Sequence, residues 1–236
     1  MANIKCYGCS FTRYNWQTWP DFLKLSAKNH NVINFGVKGS SNEFICREII
    51  KHSKTNDIVV VMWTGFDRVH SETYLQERGY NMGIMGHNRE YCIGITLEQA
   101  YQRTLEYIWL ANQFCKENNI KIINLLMTIL ELGETQQTNK FSKHLDIDTH
   151  QWPIDFSSFC IDNKNSIPSQ SGLHPFLTQH DENGVVEIFE DKHPLPSQHY
   201  YFHKEIVCPA FNLQPYLIDD KHLGILDKKV TNKNYG

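Results

Sequence analysis

The chain has 236 residues, of which 41% are hydrophobic and 12% aromatic, and it carries a formal net charge of −3 at pH 7. That is enough chain for one sizeable α/β domain with a well-buried core, and a near-balanced charge without a basic block excludes a nucleic-acid footprint as the expected function. No apolar run approaches the about 20 residues of a spanning helix, and the N-terminus enters a strand-like segment with no signal-peptide pattern. The expectation is a cytoplasmic protein with no membrane partner.

The first 130 residues alternate strand and helix. Asn3-Ile4-Lys5-Cys6-Tyr7 reads as a strand that breaks at Gly8 and delivers Ser10. Ligands of open α/β sheets bind at such carboxyl strand ends, so Ser10 is a candidate nucleophile; a lone Gly-x-Ser is more often the signature of a cap or turn serine. Thr18-Trp19-Pro20-Asp21 marks a helix start, with proline at the first position and an acid in the first turn. A second strand, Asn31 to Phe35, runs into Gly36-Val37-Lys38-Gly39-Ser40-Ser41-Asn42-Glu43, where Ser40 and Glu43 have capping-box spacing. The third strand, Ile58 to Trp63, is a continuous apolar run of the kind buried on both faces of a parallel sheet. It ends at Thr64.

Residues 70–95 are irregular in pattern. Thr96 and Gln99 form another capping box, followed by Leu97, Tyr101, Leu105, Ile108 and Cys115 at helical spacing. A fourth strand spans Ile120 to Leu126. The alternation predicts a parallel, doubly wound sheet. Residues 131–190 are polar with scattered aromatics, and a stretch of that length holds short elements or covers a site. The last segment opens with Asp191-Lys192-His193-Pro194, predicts a helix near 196–206, and ends in a polar tail from Asp227. The whole reads as a single domain, 1–236, with irregular insertions near 70–95 and 131–190.

The cysteines at 6, 9, 46, 92, 115, 160 and 208 are odd in number and lie mostly in apolar segments, so reduced, buried thiols are expected. Cys6 and Cys9 have C-x-x-C spacing, but no second pair follows at zinc-finger spacing. His193, His199 and His203 are spaced by six and four, and without a supporting carboxylate or thiolate set they read as structural rather than as ligands. No metal and no cofactor is expected.

Taken in order, these segments resemble the motif blocks of the SGNH (GDSL-type) hydrolase family. Gly8-Cys9-Ser10-Phe11-Thr12 resembles the first block, with Cys9 where the family has an aspartate, and Trp19-Pro20-x-x-Leu23 is similar to its helix entry. Asn34 to Ser41 resembles the second block, with Gly39 at the position of the oxyanion-hole glycine. Asp191-Lys192-His193-Pro194 resembles the last block, which holds the catalytic acid and histidine. The resemblance spans residues 3 to about 205. It implies a three-layer α/β/α sandwich of flavodoxin-like type, with Ser10 as nucleophile, His193 as base, Asp191 as the group orienting that base, and Gly39 among the oxyanion donors.

The chain departs from the family pattern twice. The third block has an asparagine donor in the family, whereas here the segment is Trp63-Thr64-Gly65-Phe66-Asp67-Arg68. Either Thr64 takes that donor's place, or catalysis is slow, or the chemistry differs; loss of one oxyanion donor costs roughly 10²–10³ in rate. The usual Asp-x-x-His spacing would also select Glu190, whereas Asp191 has Asp-x-His spacing. The resemblance implies a serine esterase acting on small-molecule or glycan esters, O-acetylated sugars among them, with Tyr74, Tyr80, Tyr91 and Trp152 available either to stack on a sugar or to form the core of the insertions. Two other classes fit the same residues: a non-catalytic carbohydrate- or partner-binding module, and a serine acyltransferase. The sequence leaves the oligomeric state open.

Overall fold

The apolar runs of the first half of the chain pair into one parallel sheet. The computed structural model describes residues 2–66, 68–69, 83–84, 96–128, 130, 145, 152–156, 159, 174–180, 186–191 and 193–233. Strands β1 (Asn3–Tyr7), β2 (Asn31–Asn34), β3 (Ile58–Trp63) and β6 (Lys121–Leu126) form a four-stranded sheet in the order β2-β1-β3-β6. All three pairings are parallel. The short strands β4 (Arg68–Val69) and β5 (Gly83–Ile84) pair antiparallel as a separate two-stranded sheet.

Both faces of the sheet are buried, which is why β3 carries no polar alternation. On one face Tyr7, Val59, Val61, Trp63 and Leu126 join a core with residues of α2 (Asn42–His52) and α3 (Leu97–Glu117). The alternate residues Ile4, Cys6, Val60 and Met62 are fully buried as well. Helix α3 presents Leu105, Ile108, Ala111 and Cys115 to the core at helical spacing. Asn124 of β6 accepts from Trp63 Nε1 at 2.9 Å and donates to Asn112 Oδ1 at 3.0 Å, so this polar residue is paired on both sides.

By internal packing the chain divides into two units. The first comprises Met1–Arg13 and Asn29–Phe156, and holds the sheet with α2 and α3. The second comprises Tyr14–Lys28 and Ser157–Gly236. It contains α1 (Trp19–Ser26), an antiparallel pair β7 (His174–His180) and β8 (Val186–Asp191), and the helices α4 (Pro196–Phe202), α5 (Cys208–Phe211) and α6 (Asp220–Lys233). Phe22, Tyr200 and Leu223 form a small core there, tying α1, α4 and α6 together.

Several expectations need correction. The cap of α2 is Ser41, whose hydroxyl accepts from the Phe44 amide at 3.2 Å; the Ser40 hydroxyl instead bonds Val37 O at 2.6 Å, closing the preceding turn. Asp191, which opens the last segment in the sequence reading, ends strand β8 opposite His174. The helix from Pro196 does not end near 206: it widens into a π turn over His203–Val207 and resumes as α5. Pro209 explains the widening, because a proline in a regular helix clashes with the carbonyl four residues back, and the extra residue lets the Cys208 amide reach His203 O instead. The polar tail from Asp227 is helical through Lys233, with Leu223, Asp227 and Val230 buried. Tyr74, Tyr80 and Tyr91, most of 70–95 and most of 131–173 lie outside the described residues. No helix among the described residues is long and apolar enough to cross a membrane.

Candidate active site

Ser10 follows β1 in a single tight turn. The amides of Thr12 and Arg13 both donate to Cys9 O, at 2.9 and 3.1 Å, so the chain coils once immediately past the strand end. Gly8 makes that coil possible. Its φ is +155°, and a Cβ there would lie 2.1 Å from Thr12 Oγ1 and 3.0 Å from Met62 O. Ser10 itself is 4% exposed.

The loop after β2 is bolted to this turn. Val37 N donates to Gly8 O at 3.0 Å, Asn34 Nδ2 donates to Thr12 O at 2.8 Å, and Asn34 Oδ1 accepts from Gly36 N at 2.9 Å. Gly36 allows the approach: a Cβ would lie 2.9 Å from Arg13 Cβ. Gly39 then turns with φ of +75°, a left-handed value that favours glycine, two residues before the cap of α2. Helix N-termini present amide donors and a positive dipole end, the environment an oxyanion needs.

Thr64 follows β3 and is fully buried. Its backbone is held on both sides by one side chain, since Asn42 Oδ1 accepts from Thr64 N and Asn42 Nδ2 donates to Thr64 O, each at 2.9 Å. A third bond, from Asn42 Nδ2 to Thr104 Oγ1 at 3.3 Å, anchors the clamp to α3. The Thr64 hydroxyl donates to Met127 Sδ at 3.6 Å, and Cys9 Sγ approaches the same sulfur at 3.4 Å. Met127 is in turn fixed just beyond β6 by its amide bond to Trp63 O. Ser10, Gly39 and Thr64 therefore stand at the carboxyl ends of three neighbouring parallel strands, the edge where such sheets hold ligands.

The remaining candidates belong to the second unit. His193 precedes α4 and is half-buried. The Tyr14 ring stacks on its imidazole with centroids 3.9 Å apart and planes 12° from parallel. The Trp16 ring meets Tyr14 edge-on at 4.4 Å, and Trp16 Nε1 donates to Pro194 O at 2.8 Å. Leu195 N donates to Gln198 Oε1 and Ser197 N to Asp227 Oδ1, at 2.7 and 3.0 Å, which fixes the entry to α4. Asp191 and Glu190 are the last two residues of β8, opposite His174 and Pro175.

The other two histidines are buried and neutral. Burial, and behind it the charge of His193, hold His199 well below the usual imidazole range. Burial lowers His203 to about 4, and its Nε2 lies 2.9 Å from Ser26 Oγ and 3.2 Å from Cys208 Sγ. Cys6, Cys9, Cys46, Cys115 and Cys208 are buried thiols outside any disulfide, as expected; Cys92 and Cys160 lie outside the described residues. Burial raises Cys46 to about 12 and Cys115 to about 11, so both stay protonated.

Sequence reasoning missed Asn34, Asn42, Met127 and Tyr14. Asn34 and Asn42 did carry a signal, each being an amide beside a glycine or serine turn at a strand or helix boundary, but such residues ordinarily serve local turns.

No protein-family model matches the sequence, and no curated protein matches it. Solved structures do. Protein YXIM_BACsu from Bacillus subtilis aligns with a TM-score of 0.53 at 13% identity, over 91% of this chain and 58% of that one. The chain thus spans less than two thirds of that protein's length. A G-D-S-L family lipolytic protein from Veillonella parvula aligns at 0.44 and 17% identity, over 84% of this chain and 92% of that one. The acetylxylan esterase Axe2 from Geobacillus stearothermophilus aligns at 0.47 and 12%, over 86% and 90%.

The fold is of the α/β class, built on a parallel four-stranded sheet with helices packed on it. The parallel order β2-β1-β3-β6 agrees with the flavodoxin-like sheet expected from the sequence. At such identities the likeness extends to fold and not to chemistry.

Proposed function

We propose that the protein is an SGNH-type serine hydrolase that cleaves acyl esters. The observation that carries the reading is the arrangement of Ser10, Gly39 and Thr64 on consecutive loops at one edge of the parallel sheet, with the Ser10 turn and the Gly39 loop joined by backbone and Asn34 hydrogen bonds.

In this reading Ser10 Oγ attacks the ester carbonyl while His193 takes its proton. The carbonyl π electrons move to oxygen, and the amides of Ser10 and Gly39 hold the resulting oxyanion. Collapse expels the alcohol, which takes the proton from His193, and leaves an acyl-serine. Water, deprotonated by His193, then releases the acid and restores the serine. Asp191 orients the imidazole and stabilises the imidazolium, with Glu190 as the competing acid. Substitution separates them: Asp191→Asn lowers kcat by orders of magnitude, whereas Glu190→Gln does not. The opposite pattern would move the role to Glu190.

Small-molecule or glycan esters, acetyl esters among them, are the substrate class, by resemblance to the family. A panel of acetyl, butyryl and O-acetyl-sugar esters tests it, with hydrolysis that Ser10→Ala abolishes as the supporting result. A second reading is favoured by one observation. Thr64 gives its amide to Asn42 and its hydroxyl to a thioether, which leaves two backbone amides as the principal oxyanion donors. A slow enzyme, or a module that binds carbohydrate or a partner, would follow. A water-tolerant esterase and an acyltransferase differ in whether an added alcohol captures the acyl group in preference to water.

A further inference from the structure

We infer that Tyr14 is a positioning residue for the base His193, with Trp16 as its brace; this rests on the hydrolase reading. A histidine that takes and returns a proton needs its ring plane fixed, because the nitrogen that accepts must point the same way in both half-reactions. In most triads an orienting carboxylate supplies this through one ring nitrogen. A hydrogen bond at a single point still allows the imidazole to swing about it.

Tyr14 restrains a different coordinate. Its ring lies flat on the imidazole, 3.9 Å between centroids and 12° from parallel, which opposes rotation of the imidazole out of its plane. An aromatic face also attracts the imidazolium formed when the base is loaded more than it attracts the neutral ring. Trp16 makes the platform stiff. Its ring abuts Tyr14 at 4.4 Å and 78°, and its indole N–H bonds the carbonyl of Pro194, the residue after the base. Tyr14 and Trp16 thus hold ring and backbone at once, on the segment that enters α4. Tyr14 also follows Ser10 by four residues in the sequence.

The test compares the full-length protein with Tyr14→Phe, Tyr14→Leu, Trp16→Phe and His193→Ala. It uses hydrolysis of p-nitrophenyl acetate, labelling by a fluorophosphonate, and the NMR shift of the His193 Hε1 proton. Tyr14→Leu is expected to lower kcat roughly tenfold with KM unchanged, a loss of about 1.4 kcal/mol in transition-state stabilisation. It should also remove the upfield ring-current shift of Hε1. Tyr14→Phe keeps the ring face and should restore most of both. Trp16→Phe keeps an aromatic ring but deletes the bond to Pro194 O, and is expected to cost several-fold in kcat; it carries the test if Tyr14→Leu does not fold.

Labelling that depends on His193, with kcat unchanged in Tyr14→Leu and in Trp16→Phe, would overturn the positioning role while leaving the hydrolase reading intact. No labelling of the parent protein, with the ring-current shift present, would overturn the hydrolase reading and the role built on it.

Discussion

At the scale of single residues, the features that shape the candidate site are steric and polar rather than acid–base. Gly8 sits where any side chain would collide with Thr12 Oγ1 and the Met62 carbonyl, at a backbone angle that L residues avoid. Gly8→Ala should therefore destabilise the fold by about 1–3 kcal/mol, the range for overpacking a tight site. A lower urea midpoint at constant m-value checks this. Asn42 is the other such residue. Asn42→Ala strands the Thr64 amide and carbonyl in a fully buried position, and each unpaired group costs about 1–3 kcal/mol. Thermal unfolding should show one of the larger single losses in the protein; a loss near that of a surface substitution would show that water takes over both bonds.

At the scale of elements, what was readable in the sequence is what local periodicity controls. β1, β2, β3, β6 and α1 to α3 announce themselves by apolar runs, by Thr18 with Asp21, and by Thr96 with Gln99. The last pair is observed as drawn, with Gln99 N to Thr96 Oγ1 at 3.1 Å. Misses arose where two local solutions compete. Ser40 and Ser41 are both capping residues, and the turn at Val37 consumes the first. Ser41→Ala should accordingly cost about 1 kcal/mol by chemical denaturation. The reverse ranking against Ser40→Ala would contradict the assignment.

The β7–β8 pair had a hairpin signal in Asn183-Gly184 between two apolar stretches, overlooked because the surrounding composition is so polar. Helix α6 was hidden for the same reason, since its buried stripe is the short set Leu223, Asp227 and Val230. In the candidate site, strand ends located Ser10, Gly39 and Thr64. Nothing local in sequence foretold that Asn42 grips Thr64 or that Tyr14 lies on His193. Both are contacts over long sequence separation, fixed by packing.

At the scale of the whole molecule, the two units carry titratable groups of opposite kinds, and acid should weaken them in sequence. In the second unit His203 is held neutral, at about 4 against an ordinary 6.5, by burial. The unfolded chain thus binds one more proton between those values. Stability from this group is complete above about pH 6.5, falls as the pH drops toward 4, and amounts to about 3 kcal/mol in all.

In the first unit Asp57 is lowered. Burial pushes it up, but hydrogen bonds from Lys5, Asn3 and the Lys54 amide, and the Lys5 charge, outweigh that. The ion pair is buried, with Lys5 Nζ 2.6 Å from Asp57 Oδ2. Its contribution persists above the ordinary aspartate value of 3.8 and is lost as the pH falls through the lower folded one. Amide hydrogen exchange, corrected for intrinsic rates, should show protection in α4 and α6 declining from pH 6.5 to 4 before protection in β1 and β3 declines below 4. His203→Gln should flatten the first decline. An unchanged first decline in that variant would remove His203 as its cause.

All of these effects bear on the central proposal, which is chemical: that Ser10 is an activated nucleophile. The most direct measurement is labelling of the native protein by a fluorophosphonate, with the modified residue located by mass spectrometry. The account predicts a single adduct, on Ser10, that forms quickly in the parent protein and is absent in Ser10→Ala and strongly slowed in His193→Ala. A native protein that stays unlabelled, or an adduct that forms equally well in Ser10→Ala, would contradict it.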